Sequence, residues 1–131
     1  MPQPVHSIAA ICIGASAGAT LRWLASSWLN PLFSGLPLGT LAVNLAGGYL
    51  MGLALAFFSL RADLAPWWPL LVITGFLGAL TTFSAFSAEV AMMIREGRLM
   101  WACLTIGAHV VGSLVMTFLG LATVSLTQRL S

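Results

Sequence analysis

The chain has 131 residues, of which 60% are hydrophobic and only 6% are charged. Soluble domains carry about 25% charged residues, so this composition excludes a soluble globular protein and predicts an integral membrane protein. The formal net charge of +2 comes from five basic residues, all arginine, and three acidic residues. That charge is too small for a nucleic-acid-binding surface.

Four apolar segments follow one another along the chain, at about residues 5–28, 38–60, 66–95 and 99–126. Prolines stand between the first two and at the start of the third, where a helix ends or begins readily. Each segment reaches the roughly 20 residues that a membrane-spanning helix needs. The first apolar run has no Lys or Arg ahead of it, so we expect a retained span rather than a cleaved signal peptide. No other stretch is long enough to fold alone, and residues 1–131 are predicted to form a single domain.

The membrane boundaries and the orientation can be read from tryptophan and arginine. All five tryptophans fall near predicted segment ends, as expected for residues that favour membrane interfaces: Trp23, Trp28, Trp67, Trp68 and Trp101. Four spans put both termini on one side, and the arginines divide almost evenly between the sides. Arginine and lysine asymmetry sets orientation, so this balance predicts insertion both ways up and an antiparallel dual-topology dimer.

The third segment contains residues that suit an uninterrupted helix poorly. Gly75, Gly78, Thr81 and Thr82 lie near its centre, and glycine and β-branched residues both lower helix propensity. Irregular backbone at membrane depth persists only where protein buries it or water reaches it. We therefore predict that the third helix is broken near its centre and that the break is functional.

Three segments each bring a small or polar face that can be buried only against another helix. In the fourth segment the polar positions recur every four residues, at Thr105, His109, Ser113 and Thr117. The second segment carries Thr40, Asn44, Gly47 and Gly48, and the second half of the third carries Phe83, Phe86 and Val90 with Ser87 beside them. A single hydroxyl in a membrane helix often only bonds the carbonyl one turn back. The concurrence of three such faces favours an ion pathway.

The side chains on these faces suit an anion better than a cation. Asn44, the hydroxyls and the aromatic ring edges all present positive hydrogens. Glu89 is the single carboxylate in these apolar runs. We favour a structural role for Glu89, in which it pairs with an arginine or caps a helix, over a proton relay. Residues 75–78 are not followed by Gly-Lys-Ser/Thr, so no nucleotide-binding loop is predicted. His109 has no neighbouring His or Cys, so no metal site is predicted there. We therefore do not predict an enzyme.

Three motifs stand out along the chain: residues 14–23 (GASAGATLRW), residues 39–47 (GTLAVNLAG) and residues 75–89 (GFLGALTTFSAFSAE). Together they resemble the motifs of the fluoride channels of the Fluc (CrcB) family. The resemblance covers essentially the whole chain. It implies an all-α protein with four transmembrane helices, assembled as an antiparallel homodimer with two fluoride pores. It also implies passive export of fluoride across a bacterial inner membrane.

The resemblance also implies roles for individual residues. Asn44 matches an asparagine that donates hydrogen bonds to the ion, and Phe83 and Phe86 match two phenylalanines whose ring edges line its path. The remaining predicted fluoride-pathway residues are Ser84, Ser87, Ser113 and Arg22. A structural sodium ion at the dimer interface is implied at the backbone carbonyls of Gly78 and Thr81.

The chain departs from the family pattern at Ala85, where a hydroxyl is common, and at Ala79, where glycine is common. Two other functions remain as alternatives. A proton-coupled multidrug transporter of four spans would need a carboxylate in the first segment, where there is none. A membrane scaffold without transport would use the polar faces only to hold its helices together.

Overall fold

The computed structural model describes residues 3–131, and these contain four helices long and apolar enough to cross a membrane. Helix α1 is Pro4–Leu29, α2 is Leu38–Leu60, and α6 is Leu99–Leu130. The third span is composite: α3 is Trp67–Pro69, a π-helical segment is Leu70–Leu77, α4 is Gly78–Leu80, and α5 is Phe83–Arg95. The prediction of an all-helical membrane protein with four spans is confirmed. The fourth span extends to Leu130, four residues beyond its predicted end.

The connections on one side of the bundle are short and held by side chains. After α1, a turn of 3-10 helix containing Pro31 leads into extended backbone. The side chain of Asn30 then caps α2, because its Oδ1 accepts hydrogen bonds from the N–H groups of Gly39 at 2.7 Å and Thr40 at 3.2 Å. Such a cap satisfies donors that the first helical turn leaves without partners. Between α5 and α6, Gly97 turns the chain with φ of 76°, a conformation that glycine adopts without strain.

The backbone of the third span is extended at two residues. Thr81 has φ −81° and ψ 155°, and Thr82 has φ −149° and ψ 121°. Helix α5 begins directly afterwards, with the Thr82 hydroxyl oxygen accepting from the Ala85 N–H at 3.1 Å. The part of the span before these residues packs mainly on α1, and α5 packs on α6. The two extended residues therefore pass the chain from one neighbouring helix to another.

Two helix pairs pack with their backbones in direct contact, which small residues at a helix interface allow. A Cβ added to Gly14 or Gly75 would lie 3.1 Å from the Cα of the other, so α1 touches the π-helical segment. At Gly52 and Gly120 the corresponding distance is 2.9 Å, which brings α2 against α6. Both contacts exclude side chains larger than hydrogen.

The distribution of burial is the reverse of that in a soluble domain. Large apolar side chains cover the outside of the bundle, and Phe118 and Val111 on α6 are 67% and 61% exposed. The buried polar residues of the described chain are Thr40, Thr82, Thr105 and His109. An apolar exterior around a partly polar interior is what hydrocarbon surroundings require.

Candidate functional site in the cleft at the break of the third span

Asn44 holds the extended residue Thr82 by both of its backbone polar groups. The Asn44 Nδ2 group donates to the Thr82 carbonyl oxygen at 3.0 Å, and the Thr82 N–H donates to Asn44 Oδ1 at 2.7 Å. In a continuous α-helix the Thr82 N–H would instead donate to the carbonyl of Gly78, four residues earlier. The Asn44 amide therefore takes the place of a helical hydrogen bond and satisfies the backbone at the extended residue Thr82.

His109 completes the hydrogen bonding of Asn44. The Asn44 Nδ2 atom lies 2.9 Å from His109 Nδ1, and an amide nitrogen can only donate. Nδ1 is then the acceptor, and in this network the proton of the neutral imidazole resides on Nε2. The ring is only 3% exposed, and its buried Nε2 atom has no hydrogen-bond partner within residues 3–131.

The two phenylalanines of the predicted pathway adjoin this network. The Phe86 ring lies against the His109 ring with centroids 4.5 Å apart and planes at 31°. Phe83 meets Phe86 edge to face, at 5.6 Å and 67°. Phe86 is 8% exposed and Phe83 is 77% exposed, so the aromatic series runs from the protein interior to the surface of the protomer.

These side chains line a cleft of about 350 Å³. Its walls are Asn44, Gly47, Gly48, Met51, Thr81, Thr82, Phe83, Phe86, His109, Val110, Ser113 and Thr117. Neither a carboxylate nor an arginine is among them. The cleft offers neutral hydrogen-bond donors and aromatic edges, which suit an anion that forms strong hydrogen bonds.

The polar stripe of α6 faces the other helices, as the four-residue spacing indicates. Its hydroxyls are nonetheless used within the protein: the Ser113 hydroxyl donates to the His109 carbonyl, and the Thr117 hydroxyl lies 3.0 Å from the carbonyls of both Ser113 and Gly48. The Thr105 hydroxyl donates to the Trp101 carbonyl at 2.7 Å. These are the carbonyl contacts that hydroxyls make in membrane helices.

The structure brings together Asn44, Phe83, Phe86 and Ser113, whereas three other predicted pathway residues lie elsewhere. Ser84 and Ser87 are exposed on α5 and are not part of the cleft wall.

Arg22 is half-buried, and its Nε donates to the Ala79 carbonyl at 3.0 Å. Arg22 thus holds the last turn before the break, a contact that the arginine motif alone did not indicate.

The backbone around the break has the donor chemistry of a site for a hard cation. Gly78 is exposed, and the N–H that would bond its carbonyl in a continuous helix is held by Asn44. The Thr81 carbonyl follows in extended backbone. Carbonyls freed by an unwound helix are the ligands that bind sodium in membrane proteins. The positions predicted for sodium, Gly78 and Thr81, therefore fit such an ion chemically.

Glu89 lies in a second cleft, toward the end of the bundle where α2 begins. Its Oε1 accepts from the Thr40 hydroxyl at 2.6 Å, and its Oε2 is buried without a hydrogen-bond partner among the described residues. Glu89 forms no ion pair with an arginine of the described residues, and the alternative that it caps a helix stays a prediction. Arg98 lines the same cleft but bonds the carbonyls of Ser34 at 3.0 Å and Gly35 at 2.6 Å.

Comparison with known proteins gives consistent matches over almost the whole chain. The family model described as CrcB-like protein, Camphor Resistance (CrcB), matches residues 9–121. A protein of Tolumonas auensis is 58% identical over 125 residues, which cover 95% of this chain and 98% of the relative. A protein of Pseudomonas putida is 58% identical over 119 residues, which cover 91% of this chain and 94% of the relative. A protein of Paraburkholderia xenovorans is 54% identical over 123 residues, which cover 94% of this chain and 98% of the relative. Each of the three is named "Fluoride-specific ion channel FluC".

Proposed function

The chain belongs to the CrcB-like family of fluoride-specific ion channels, and on that premise we propose that it carries fluoride passively through the cleft beside Thr82. The observation that carries the proposal is the composition of that cleft. It combines two phenylalanine rings, the Asn44 amide and the His109 ring with no charged side chain. A small anion that loses its water needs many modest donors, because an ion held too strongly would not leave.

The proposed pathway consists of Asn44, Phe83, Phe86 and Ser113 in the cleft, with Ser84, Ser87 and Arg22 outside the cleft wall. Both hydrogens of the Asn44 amide are directed at Thr82 and His109, so an ion beside Asn44 would share a donor with one of them. The unpaired Nε2–H of His109 supplies a donor next to Phe86. Arg22 contributes through the Ala79 carbonyl at the break.

An antiparallel homodimer with two pores is part of the proposal. Phe83, Ser84, Ser87 and Gly78 are exposed on a single protomer at the break of a membrane span. Hydroxyls and unpaired carbonyls are unfavourable against lipid, which favours their being covered by a second copy. The nearly even division of arginines between the two sides, two against three, supports a copy in the opposite orientation.

A structural sodium ion at the dimer interface fits this arrangement. The carbonyls of Gly78 and Thr81 from each protomer would hold it, and the ion would neutralise carbonyl dipoles that the broken helix leaves without donors. Sodium would serve there as a fixed link between protomers.

We infer passive flow, because the sequence contains no nucleotide-binding motif and the cleft contains no carboxylate to couple protons. In a bacterial inner membrane, such flow would export fluoride that entered as the neutral acid and ionised inside the cell. A drug–proton exchanger lacks its essential carboxylate here, and a scaffold would have no use for an uncharged cleft lined by two phenylalanine rings.

Fluoride efflux from proteoliposomes tests this function. Phe86→Ile should reduce the efflux by more than about 10-fold, which corresponds to about 1.4 kcal/mol of added barrier, because the aromatic edge in the cleft is lost. The matched control is Phe118→Ile on the exposed face of α6, which should retain the wild-type rate. Equal rates for the two variants would contradict the assignment of the cleft as the pathway.

A further inference from the structure

We propose that His109 is a positioning residue, which acts through Asn44 to keep Thr82 in its extended conformation. The observation is a chain of contacts that joins three separate spans. His109 Nδ1 lies 2.9 Å from Asn44 Nδ2, and the same amide bonds both the carbonyl and the N–H of Thr82, at 3.0 and 2.7 Å. The importance of this contact for conduction rests on the function proposed above.

The imidazole determines which way round the Asn44 amide is held. Oδ1 must face the Thr82 N–H, and Nδ2 must face the Thr82 carbonyl. A 180° flip of the amide would place donor against donor and acceptor against acceptor. An acceptor at His109 Nδ1 opposes this flip, because the flipped amide would present Oδ1 to a ring nitrogen that carries no hydrogen.

The His109 ring is itself fixed in orientation. It is 3% exposed and lies against Phe86 with ring centroids 4.5 Å apart. Two contacts on different atoms therefore hold it, the aromatic face against Phe86 and Nδ1 against Asn44. This arrangement keeps the proton on the buried Nε2 atom.

Loss of the Nδ1 acceptor would act on the break itself. The Thr82 N–H would lose its secure acceptor and could return to the Gly78 carbonyl in a continuous helix. That change would withdraw a carbonyl proposed for sodium and would move the Phe83 side chain, which follows Thr82 directly. His109 thus influences both features without contact to the Thr82 backbone.

Two substitutions separate the two nitrogens of the ring. In His109→Asn, the amide Oδ1 is bonded to Cγ as Nδ1 is, so an acceptor toward Asn44 is retained. In His109→Gln, the amide group lies one bond further out, so a donor is retained where Nε2 was and the acceptor at the position of Nδ1 is lost. Both variants remove the ring and its stacking on Phe86, and each is therefore the control for the other.

The test is the amide hydrogen-exchange rate of Thr82, measured by NMR on the full chain in detergent. We expect exchange about 10-fold faster in His109→Gln, as for loss of one hydrogen bond of roughly 1.4 kcal/mol. Exchange in His109→Asn should stay within about 2-fold of wild type because its acceptor remains. Equal rates in all three proteins, or equal acceleration in both variants, would overturn the proposal.

A second measurement needs no substitution. The ¹⁵N shifts of the His109 ring in the wild-type protein should report hydrogen on Nε2 and none on Nδ1, and the opposite tautomer would overturn the proposal. In the efflux assay His109→Gln should lose fluoride flux although it keeps a donor at the Nε2 position, and wild-type flux would refute the link to conduction. If the wild-type chain itself passed no fluoride, the proposed function would fail, while the Thr82 exchange rates would still decide the role of His109.

Discussion

Gly47 makes room for the methyl group of Thr81 at the start of the break. A Cβ at position 47 would overlap Thr81 Cγ2, whereas Thr81 Cβ would lie at an ordinary 3.6 Å. The Thr81 side chain cannot simply rotate away, because its hydroxyl donates to the Leu77 carbonyl at 2.8 Å. Gly47→Ala should therefore strain the break through a single methyl group.

The magnitude follows from terms of opposite sign. Overpacking costs about 2 kcal/mol, and replacing glycine by alanine within a helix returns about 1 kcal/mol. Gly47→Ala should then lower the free energy of unfolding by about 1 kcal/mol. Thr81→Ser keeps the hydroxyl and removes the methyl, which costs about 0.8 kcal/mol of burial. In the double variant the overlap disappears, and its stability should return to within about 0.5 kcal/mol of wild type.

The assay is unfolding in mixed detergent micelles, titrated with dodecyl sulfate and followed by circular dichroism. Independent effects would sum to a loss of about 1.8 kcal/mol, so the expected coupling energy is about 2 kcal/mol. The control combines Gly47→Ala with Thr127→Ser, an exposed threonine that makes the same kind of bond to the carbonyl four residues earlier. That pair should be additive. Additivity of Gly47→Ala with Thr81→Ser as well would refute the account of the packing at the break.

Two further predictions concern other parts of the chain. In the same unfolding assay Gly120→Ala should be destabilising, because its Cβ would lie 2.9 Å from the Cα of Gly52. A Cβ at Gly107 would have nothing within 4 Å, so Gly107→Ala should stabilise the protein by about 1 kcal/mol. A change of the same sign in both variants would contradict the contact between α2 and α6. In the loop after α2, the hydrogen bond from Arg61 lowers the pKa of the Asp63 carboxyl. That ion pair stabilises the fold above the unfolded-state pKa of Asp63 and ceases to do so as pH falls through its folded-state pKa. Arg61→Gln should therefore raise the carboxyl pKa toward about 3.9, as measured by ¹³C NMR titration, and an unchanged titration would contradict the pairing.

The four spans could be predicted from the sequence because hydrocarbon imposes a length and an apolar composition on each helix. The tryptophans near the segment ends have a different cause, because their amphipathic rings favour the membrane interface. The stripe on α6 was predicted from its spacing, and Thr105 and His109 are indeed buried. Such periodicity identifies the face of a helix but not its partner, which depends on how distant segments pack.

The side-chain contacts within the site could not be predicted from the sequence. The hydrogen-bonded residues Asn44 and His109 are 65 positions apart, and Glu89 and Thr40 are 49 positions apart. No local sequence pattern predicts either hydrogen bond. On α5, Phe86 and Val90 are buried whereas Ser84 and Ser87 are exposed on the protomer, and the place of the two serines in the pathway stays a prediction. Thr82 was predicted to lie near the centre of the third segment, but its bonds to Asn44 and its cap on α5 were not predicted, although a threonine directly before a helix is a common cap.

The central claim is that neutral donors beside the break admit fluoride and exclude a larger halide. Its most direct test is efflux from proteoliposomes loaded with equal fluoride and chloride, with each ion followed by its own electrode. The account predicts rapid release of fluoride while chloride is retained. Release of chloride at a rate comparable to that of fluoride would contradict it.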